Sequence, residues 1–588
     1  MMGIPIKPES TTTDRTSPPS TKSVLWFGGL ILLLAVPFFL RMPLTNDTAL
    51  FDLQTRMISE GSVPYRDVLE PNWPGVFWIH GAVRSVLGSS SEAMRLFDLC
   101  GALALCWMLR NLALFAGATR HGAAWLSLAV ITFYLSCSEW SHCQRDTWLL
   151  IPMTAATCLR MRRLNGQMIP KVCALAVVEG LIWGAACWLK PYAALVAVSV
   201  WLVTLPKYST WRKAALDAGL VFIGGVIAGI GGMTWLMRTG AWPFWLETMR
   251  DWNPRYLAAG REHWVRPRFE AMFWRMQPWY WLHLFALPLA VKDLCCCFAN
   301  SRRGVSAFGP LVGEVTRSVS EGERSRTLPI LCRLERSPSL TLRVTCRCGF
   351  AAIYLATLTH VFLLQHLFDY VHAPAVMLAI VVVGTWLAQP QRSRRWRFVI
   401  VAFGLIAAMQ SPLLKPQRIR LWWACVAQSS SAGFQNKAKL QDKLALLPNP
   451  HRVHLERVAD FLSQQKPERN AVNVLNSDLV SLYSRLDLRP PTRFVYVWEL
   501  LLYFPQQRDE IMAALASSGQ RYVVSDLVSC GMSIADAWAI GPDGPQAPPP
   551  KYQVGRRGKY PWSHPVVFRS GPYLVHKISG SIGRPSSP

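Results

Sequence analysis

The sequence predicts an α-helical polytopic membrane protein of about eleven transmembrane helices followed by a soluble α/β domain. Three observations predict it. The 588 residues are 51% hydrophobic but only 16% charged, well under the roughly 25% charge of soluble domains. Long apolar runs alternate with short Lys/Arg clusters. After about residue 416 the pattern changes to amphipathic helices and short apolar strands.

The 62 basic residues outnumber 35 acidic ones, for a net charge of +27. Nucleic acid is not the expected partner, because Lys and Arg form no stripe beside aromatic platforms. They fall in short groups between apolar runs, as cytoplasmic loops do. The 15 Cys give no metal framework: Cys295, Cys296 and Cys297 are consecutive, and Cys346 and Cys348 have no His pair nearby. A lipidated or buried cluster accounts for the triplet.

Residues 1–22 are polar, Ser/Thr/Pro-rich, and read as a disordered cytoplasmic tail. The uncharged "SVLWFGGLILLLAVPFFL" (23–40) is the first span and carries no cleavage site. Lys7, Arg15 and Lys22 ahead of it place the N-terminus in the cytoplasm. Residues 43–92 then form a first outer loop with interfacial helices. Within it, "PGVFWIHGAVRSVLG" (74–88) is short and interrupted by His80 and Arg84, so it lies flat on the outer surface.

Further spans are expected at 93–115, 122–137, 146–159 and 172–188, with a sixth returning to the basic "KYSTWRK" (207–213). The seventh, 214–236, opens into an outer loop over 238–277, and the eighth covers about 279–298. A polar, Arg-rich cytoplasmic insertion spans 299–348, and the last three spans fall at 350–366, 373–388 and 398–414. With 74–88 flat, every strongly basic short loop lies on one side. Residues 23–415 are thus the transmembrane domain. Residues 416–588 form an outer-face α/β domain with strands at "AVNVLN", "TRFVYV" and "RYVVSD" and a closing hairpin in "PVVFRSGPYLVHKI". The whole is an integral, multi-pass protein of the inner or plasma membrane.

The first outer loop concentrates carboxylates: Asp47, Asp52, Glu60, Asp67 and Glu70. Solvated loop charge is the plain account of Asp52, Glu60 and Asp67. Asp47 differs in standing just beyond a span, where a carboxylate is costly unless hydrated or paired.

A lone Asp after the first span, the "GSVPYRD" turn, the "EPNWPG" lead-in to a flat aromatic helix, and "LKPY" after the fifth span resemble the GT-C membrane glycosyltransferases. The nearest branch holds the protein O-mannosyltransferases and the lipid A aminoarabinose transferases. The resemblance covers about residues 23–410. It implies a GT-C-like membrane domain and an inverting glycosyltransferase of the cell envelope, which takes a sugar from a polyprenyl-phosphate donor. The acceptor is a lipid, glycan or protein at the outer face. It also implies catalytic roles for Asp47, Asp146 of "CQRDTW" and Glu70. Lys190 and Arg255 would face the donor phosphate. Tyr65 and Arg66, with His366 and Tyr370 around "FDYVHAP", would bind substrate.

The chain departs from that pattern in three places. Thr48 follows Asp47 where the family has a second acid, Phe51 stands at the family's aromatic, and the Lys of its "E-K-P" is replaced near Asn72. The missing acid argues against a tightly held metal and leaves a weakly bound divalent cation as the alternative; no other cofactor is implied. The chemistry suits the residues, since an acceptor hydroxyl needs a carboxylate to take its proton and a departing phosphate needs a cation.

Two other classes compete. A transporter or flippase of lipid-linked sugars would place ionisable groups at the midplane, and Glu179 is the acid deep in a span. A non-catalytic scaffold presenting 416–588 would make Asp47 dispensable. For Lys190, the plain account is an anchor that snorkels to lipid headgroups.

Overall fold

The computed structural model describes residues 21–164, 172–262, 266–307, 340–363, 368–389, 402–404, 406–407, 409–411, 416–428, 432–447, 450–541 and 560–578. The chain is mostly helical with one small sheet. Among the described residues, nine α-helices come first: α1 (Thr21–Arg41), α2 (Asn46–Ser59), α3 (Gly75–Leu87), α4 (Ser91–Phe115), α5 (Arg120–Ser136), α6 (Arg145–Leu164), α7 (Val172–Leu189), α8 (Ala193–Thr204) and α9 (Trp211–Arg238). Among the described residues, four helices are long and apolar enough to cross a membrane: Ser91–Phe115, Trp211–Arg238, Arg343–Leu363 and Tyr370–Leu387. A fifth arises if Trp26–Arg41 and Asn46–Ser59, bent by 59°, count as one span. Helices Cys173–Leu189 and Ala193–Lys207 are apolar but shorter.

The bend after α1 is local. Pro43 cannot continue the helix, and Thr45 caps α2 by accepting from the Thr48 amide at 3.3 Å. The segment expected as a short helix at 74–88 is α3. The insertion expected at 299–348 is helical at both margins, within His283–Ala307 and Leu340–Leu363; residues 308–339 lie outside the described residues, as does most of the span expected at 398–414.

Small residues set how closely these helices pack. α7 and α9 cross with Gly180 against Gly224, and a Cβ on either would meet a main-chain oxygen of the other helix at 2.0 Å. Gly75 opens α3 against the end of α7: a Cβ there would lie 2.6 Å from the Trp188 carbonyl oxygen. That contact brings the "EPNWPG" loop beside Lys190.

Residues from Phe434 onward build a four-stranded sheet with flanking helices. Strands β1 (Val472–Val474), β2 (Tyr522–Asp526), β3 (Val566–Ser570) and β4 (Tyr573–Lys577) lie in the order β1-β2-β4-β3. β1 and β2 are parallel, while β4 pairs antiparallel with β2 and β3. The expected hairpin is therefore present, as are the strands at "AVNVLN" and "RYVVSD". "TRFVYV" forms no strand. Its Arg493 carbonyl accepts from the Leu69 amide at 2.8 Å, and the Arg493 side chain reaches Glu247 at 2.8 Å. Phe494 and Val495 are buried. Through the Arg493 carbonyl the segment bonds the first loop, and it does not pair in the sheet. The Pro/Gly segment expected as a loop at 541–550 lies outside the described residues past Gly541.

The sheet region is fastened to α2. Leu50, Leu53, Met57 and Val68 share one buried cluster with Leu455, Val458, Tyr483 and Val524. At its rim, Arg56 donates to Asp487 at 2.6 Å and to the Leu488 carbonyl at 2.5 Å. Asn46 donates to Asp478, whose other oxygen is 2.7 Å from Ser529 Oγ.

Candidate functional site

The carboxylates of the first loop divide into two kinds. Asp52 accepts from His80 at 2.7 Å and from Arg84. Glu60 is held by Arg489 at 2.5 Å and Arg469 at 3.2 Å. Asp67 takes the Val63 amide at 2.8 Å and the neighbouring Arg66 at 2.7 Å. Each of these three has a structural cation. Among the described residues, Asp47 and Glu70 form no ion pair. Both are residues that the sequence pattern marks as catalytic.

Asp47 sits in the first turn of α2. Its one hydrogen bond among the described residues is long, from Gln144 Nε2 at 3.5 Å, and the same nitrogen lies 3.5 Å from Thr45 Oγ1. Burial raises its pKa, opposed chiefly by the positive charge of Arg145. Glu70, 1% exposed, accepts from Gln54 Nε2 at 3.2 Å and from the amide and side-chain nitrogen of Asn72 at 3.1 and 2.5 Å. Asn72 thus holds Glu70 near the place where the family carries a lysine. Burial lifts the Glu70 carboxyl to about 7, against the pull of Arg145 and of the Gln54 and Asn72 hydrogen bonds.

Asp146 lies in the first turn of α6, where the helix dipole favours a carboxylate. Its Oδ1 accepts from Lys190 Nζ at 2.5 Å. The two residues are 1% and 4% exposed. Asp146 Oδ2 is buried and has no hydrogen-bond partner among the described residues. Lys190 follows the last residue of α7, and its amide still bonds the Ala186 carbonyl at 3.0 Å. Pro191 then removes the next donor and turns the chain into α8. A lysine this deep and this closely paired does not snorkel to headgroups. Burial draws its pKa down to about 8, with Asp146 opposing the fall and Arg145 adding to it.

Arg145 was not singled out by its sequence. Its side chain is half-buried and forms no hydrogen bond or ion pair among the described residues. Its charge nevertheless acts on Asp47, Glu70, Tyr65, Tyr192, Tyr256 and Tyr370. These groups come from the α1–α3 region, the α7–α8 turn, the segment after α9 and the start of helix Asp369–Leu387. Nothing local in "CQRDTW" distinguishes this arginine; only the tertiary meeting point does.

The other expected residues spread out. Tyr65 is buried with a left-handed backbone (φ 66°), and its hydroxyl donates to the Asn72 carbonyl at 2.9 Å. Tyr65 therefore supports the loop carrying Glu70. Arg66 points outward and pairs with Asp67. Tyr370 is buried, stacked on Phe368 with ring centroids 5.6 Å apart, and its surroundings include Asp47 and Asp146. Arg255 is exposed, and its charge acts on Asp251 at the surface. His366 lies outside the described residues. Among the described residues, no three His, Cys, Asp or Glu side chains converge as a metal ion would require.

No protein-family profile matches the sequence, and no curated protein matches it significantly. Solved structures do. The crystal structure of ArnT from Cupriavidus metallidurans bound to undecaprenyl phosphate aligns with 97% of this chain and 100% of its own, at 14% identity and a TM-score of 0.53. The oligosaccharyltransferase AglB from Archaeoglobus fulgidus, in complex with an inhibitory peptide and a dolichol-phosphate, covers 88% of this chain and 71% of its own. At 11% identity and a TM-score of 0.41 it is too distant to carry weight. The chain shares the fold of this ArnT structure.

Proposed function

We propose, from a chain with the GT-C fold, that this protein is an integral-membrane glycosyltransferase. In this reading it moves a sugar from a polyprenyl-phosphate donor to an acceptor hydroxyl at the outer membrane surface. About eleven spans, a cytoplasmic N-terminus and an outer sheet domain belong to the same proposal. The observation that carries it is the meeting of two carboxylates lacking ion-pair partners, Asp47 and Glu70, with the Asp146–Lys190 pair and Arg145.

In the proposed step Asp47 takes the proton of the acceptor hydroxyl. The hydroxyl oxygen attacks the sugar's anomeric carbon while the bond from that carbon to the phosphate oxygen breaks. The electron pair leaves with the lipid phosphate, and a single displacement inverts the anomeric centre. A raised carboxylate pKa makes Asp47 the stronger base near neutrality. Asp146, held by Lys190, offers its unpartnered Oδ2 to a sugar or acceptor hydroxyl. Cationic charge at Lys190 and Arg145 favours the departing phosphate. Tyr370 and Tyr256 would wall the substrate. A lipid-borne donor suits the aromatic lining beside "EPNWPG", where Trp73 and Trp78 pack on Trp188 with ring centroids 5.3 and 5.6 Å apart.

The transport reading loses its best residue. Glu179 is closed in a buried network with Arg160 and Arg163, each at 2.7 Å. Both arginines also pair with Asp217. Purified protein given a panel of labelled polyprenyl-phosphate sugars should release free polyprenyl phosphate from at least one when supplied with membrane-lipid extract as acceptor. Failure with every donor, alongside intact folding, would refute the assignment.

A further inference from the structure

The donor phosphate needs a cation, and the structure distributes its cations unequally. Lys190 already spends a donor on the buried carboxylate of Asp146. Arg66 is paired at the surface with Asp67. Arg84 is committed to Asp52 and to the Ser90 carbonyl at 2.6 Å. Arg255 is exposed and acts on Asp251. Arg95 is fully buried beneath the site and donates to the Pro43 carbonyl.

Arg145 is different. It stands between Gln144, which reaches Asp47 at 3.5 Å, and Asp146, which holds Lys190 at 2.5 Å. Chain connectivity alone therefore fixes its backbone between the proposed base and the buried pair. Its guanidinium is half-buried and, among the described residues, has no partner of its own. A guanidinium presents its donors in a planar fork that matches two oxygens of a phosphate.

We infer that Arg145 is the principal phosphate-binding residue of this site, taking the phosphate of the lipid donor, and that Lys190 is a positioning residue that holds Asp146. The inference rests on the glycosyltransferase reading above and deepens it. It also gives the chain a cation in place of the lysine missing near Asn72. The ligand's chemistry is a phosphate monoester or diester carried on a polyprenyl chain.

The test uses the full-length protein in nanodiscs and follows its tryptophan fluorescence during titration with polyprenyl phosphate, with neutral polyprenol as control. Wild type should prefer the phosphate over the alcohol. Arg145→Gln should weaken phosphate binding by about tenfold to a hundredfold, the range of a lost charge-assisted hydrogen bond, and leave polyprenol binding unchanged. Arg145→Lys should recover part of the loss. Lys190→Met should weaken phosphate binding less than Arg145→Gln does while losing thermal stability. If wild type shows no preference for phosphate, the glycosyltransferase reading fails and takes the inference with it. If wild type prefers phosphate and Arg145→Gln binds it equally well, or if Lys190→Met alone abolishes the preference, Arg145 is not the anchor. Should Arg145→Gln not fold, Arg145→Lys decides: a phosphate affinity a few-fold below wild type supports the fork, and undiminished affinity overturns it.

Discussion

Lys190 and Asp146, 44 residues apart in sequence, form a buried ion pair at 2.5 Å between the end of α7 and the start of α6. The pair ties the α5–α6 loop to the α7–α8 turn. Breaking one side of a buried pair strands the other charge, typically at about 3–5 kcal/mol. Lys190→Met should therefore lower the unfolding midpoint sharply, and adding Asp146→Asn should recover much of it without restoring turnover. Thermal unfolding of the three variants checks this. A Lys190→Met protein as stable as wild type would remove the pair's structural role.

Glu70 supplies a pH signature. Its folded pKa of about 7 lies above the ordinary 4.5, so between those values the folded state holds the extra proton. Stability then falls as pH rises through that window. Glu70→Gln should flatten the dependence and be the more stable protein above pH 7. Unfolding midpoints across the range would show it, and parallel curves for the two proteins would argue that Glu70 is solvated.

Arg145 lowers the pKa of Asp47. Removing that charge should move the acidic limb of the rate profile to higher pH, while Arg145→Lys leaves it near its original place. A limb that stays put in Arg145→Gln would mean that Asp47 does not set it.

The docking of the sheet region gives a fourth expectation. Asn46 donates to Asp478, one residue from the proposed base. Asp478→Ala should lower turnover by loosening the first turn of α2 and leave phosphate binding unchanged. Glu60→Ala, which removes exposed ion pairs to Arg469 and Arg489, should cost no more than about 1 kcal/mol and little activity. Equal losses in both would show that the interface, not the Asn46 contact, matters.

Much of the helix pattern was legible, because apolar runs between basic clusters mark helices whatever they pack against. α3 appears where His80 and Arg84 interrupt the run, and α4 to α7 begin within a few residues of the expected spans. "TRFVYV" misled because its apolar, β-branched residues signal burial, and they are buried against the sheet, its helices and the first loop without pairing as a strand. Asp47, Glu70, Asp146 and Lys190 stood out by position relative to spans. What separates Asp47 and Glu70 from Asp52, Glu60 and Asp67 is the presence or absence of a cation, and those cations come from as far away as Arg489. No spacing rule could supply that. Arg145 was hidden for the same reason, since its surroundings are assembled from four distant segments.

The central claim is that Asp47 is the base of a sugar transfer from a lipid phosphate. Its side chain has only the long contact to Gln144 among the described residues, so Asp47→Asn should fold and bind polyprenyl phosphate as wild type does. The direct measurement is single-turnover transfer from a labelled polyprenyl-phosphate sugar by wild-type and Asp47→Asn protein of matched unfolding midpoint. The account predicts a fall of about 10²–10⁴-fold in the variant with donor binding retained. Equal rates in the two proteins would contradict it.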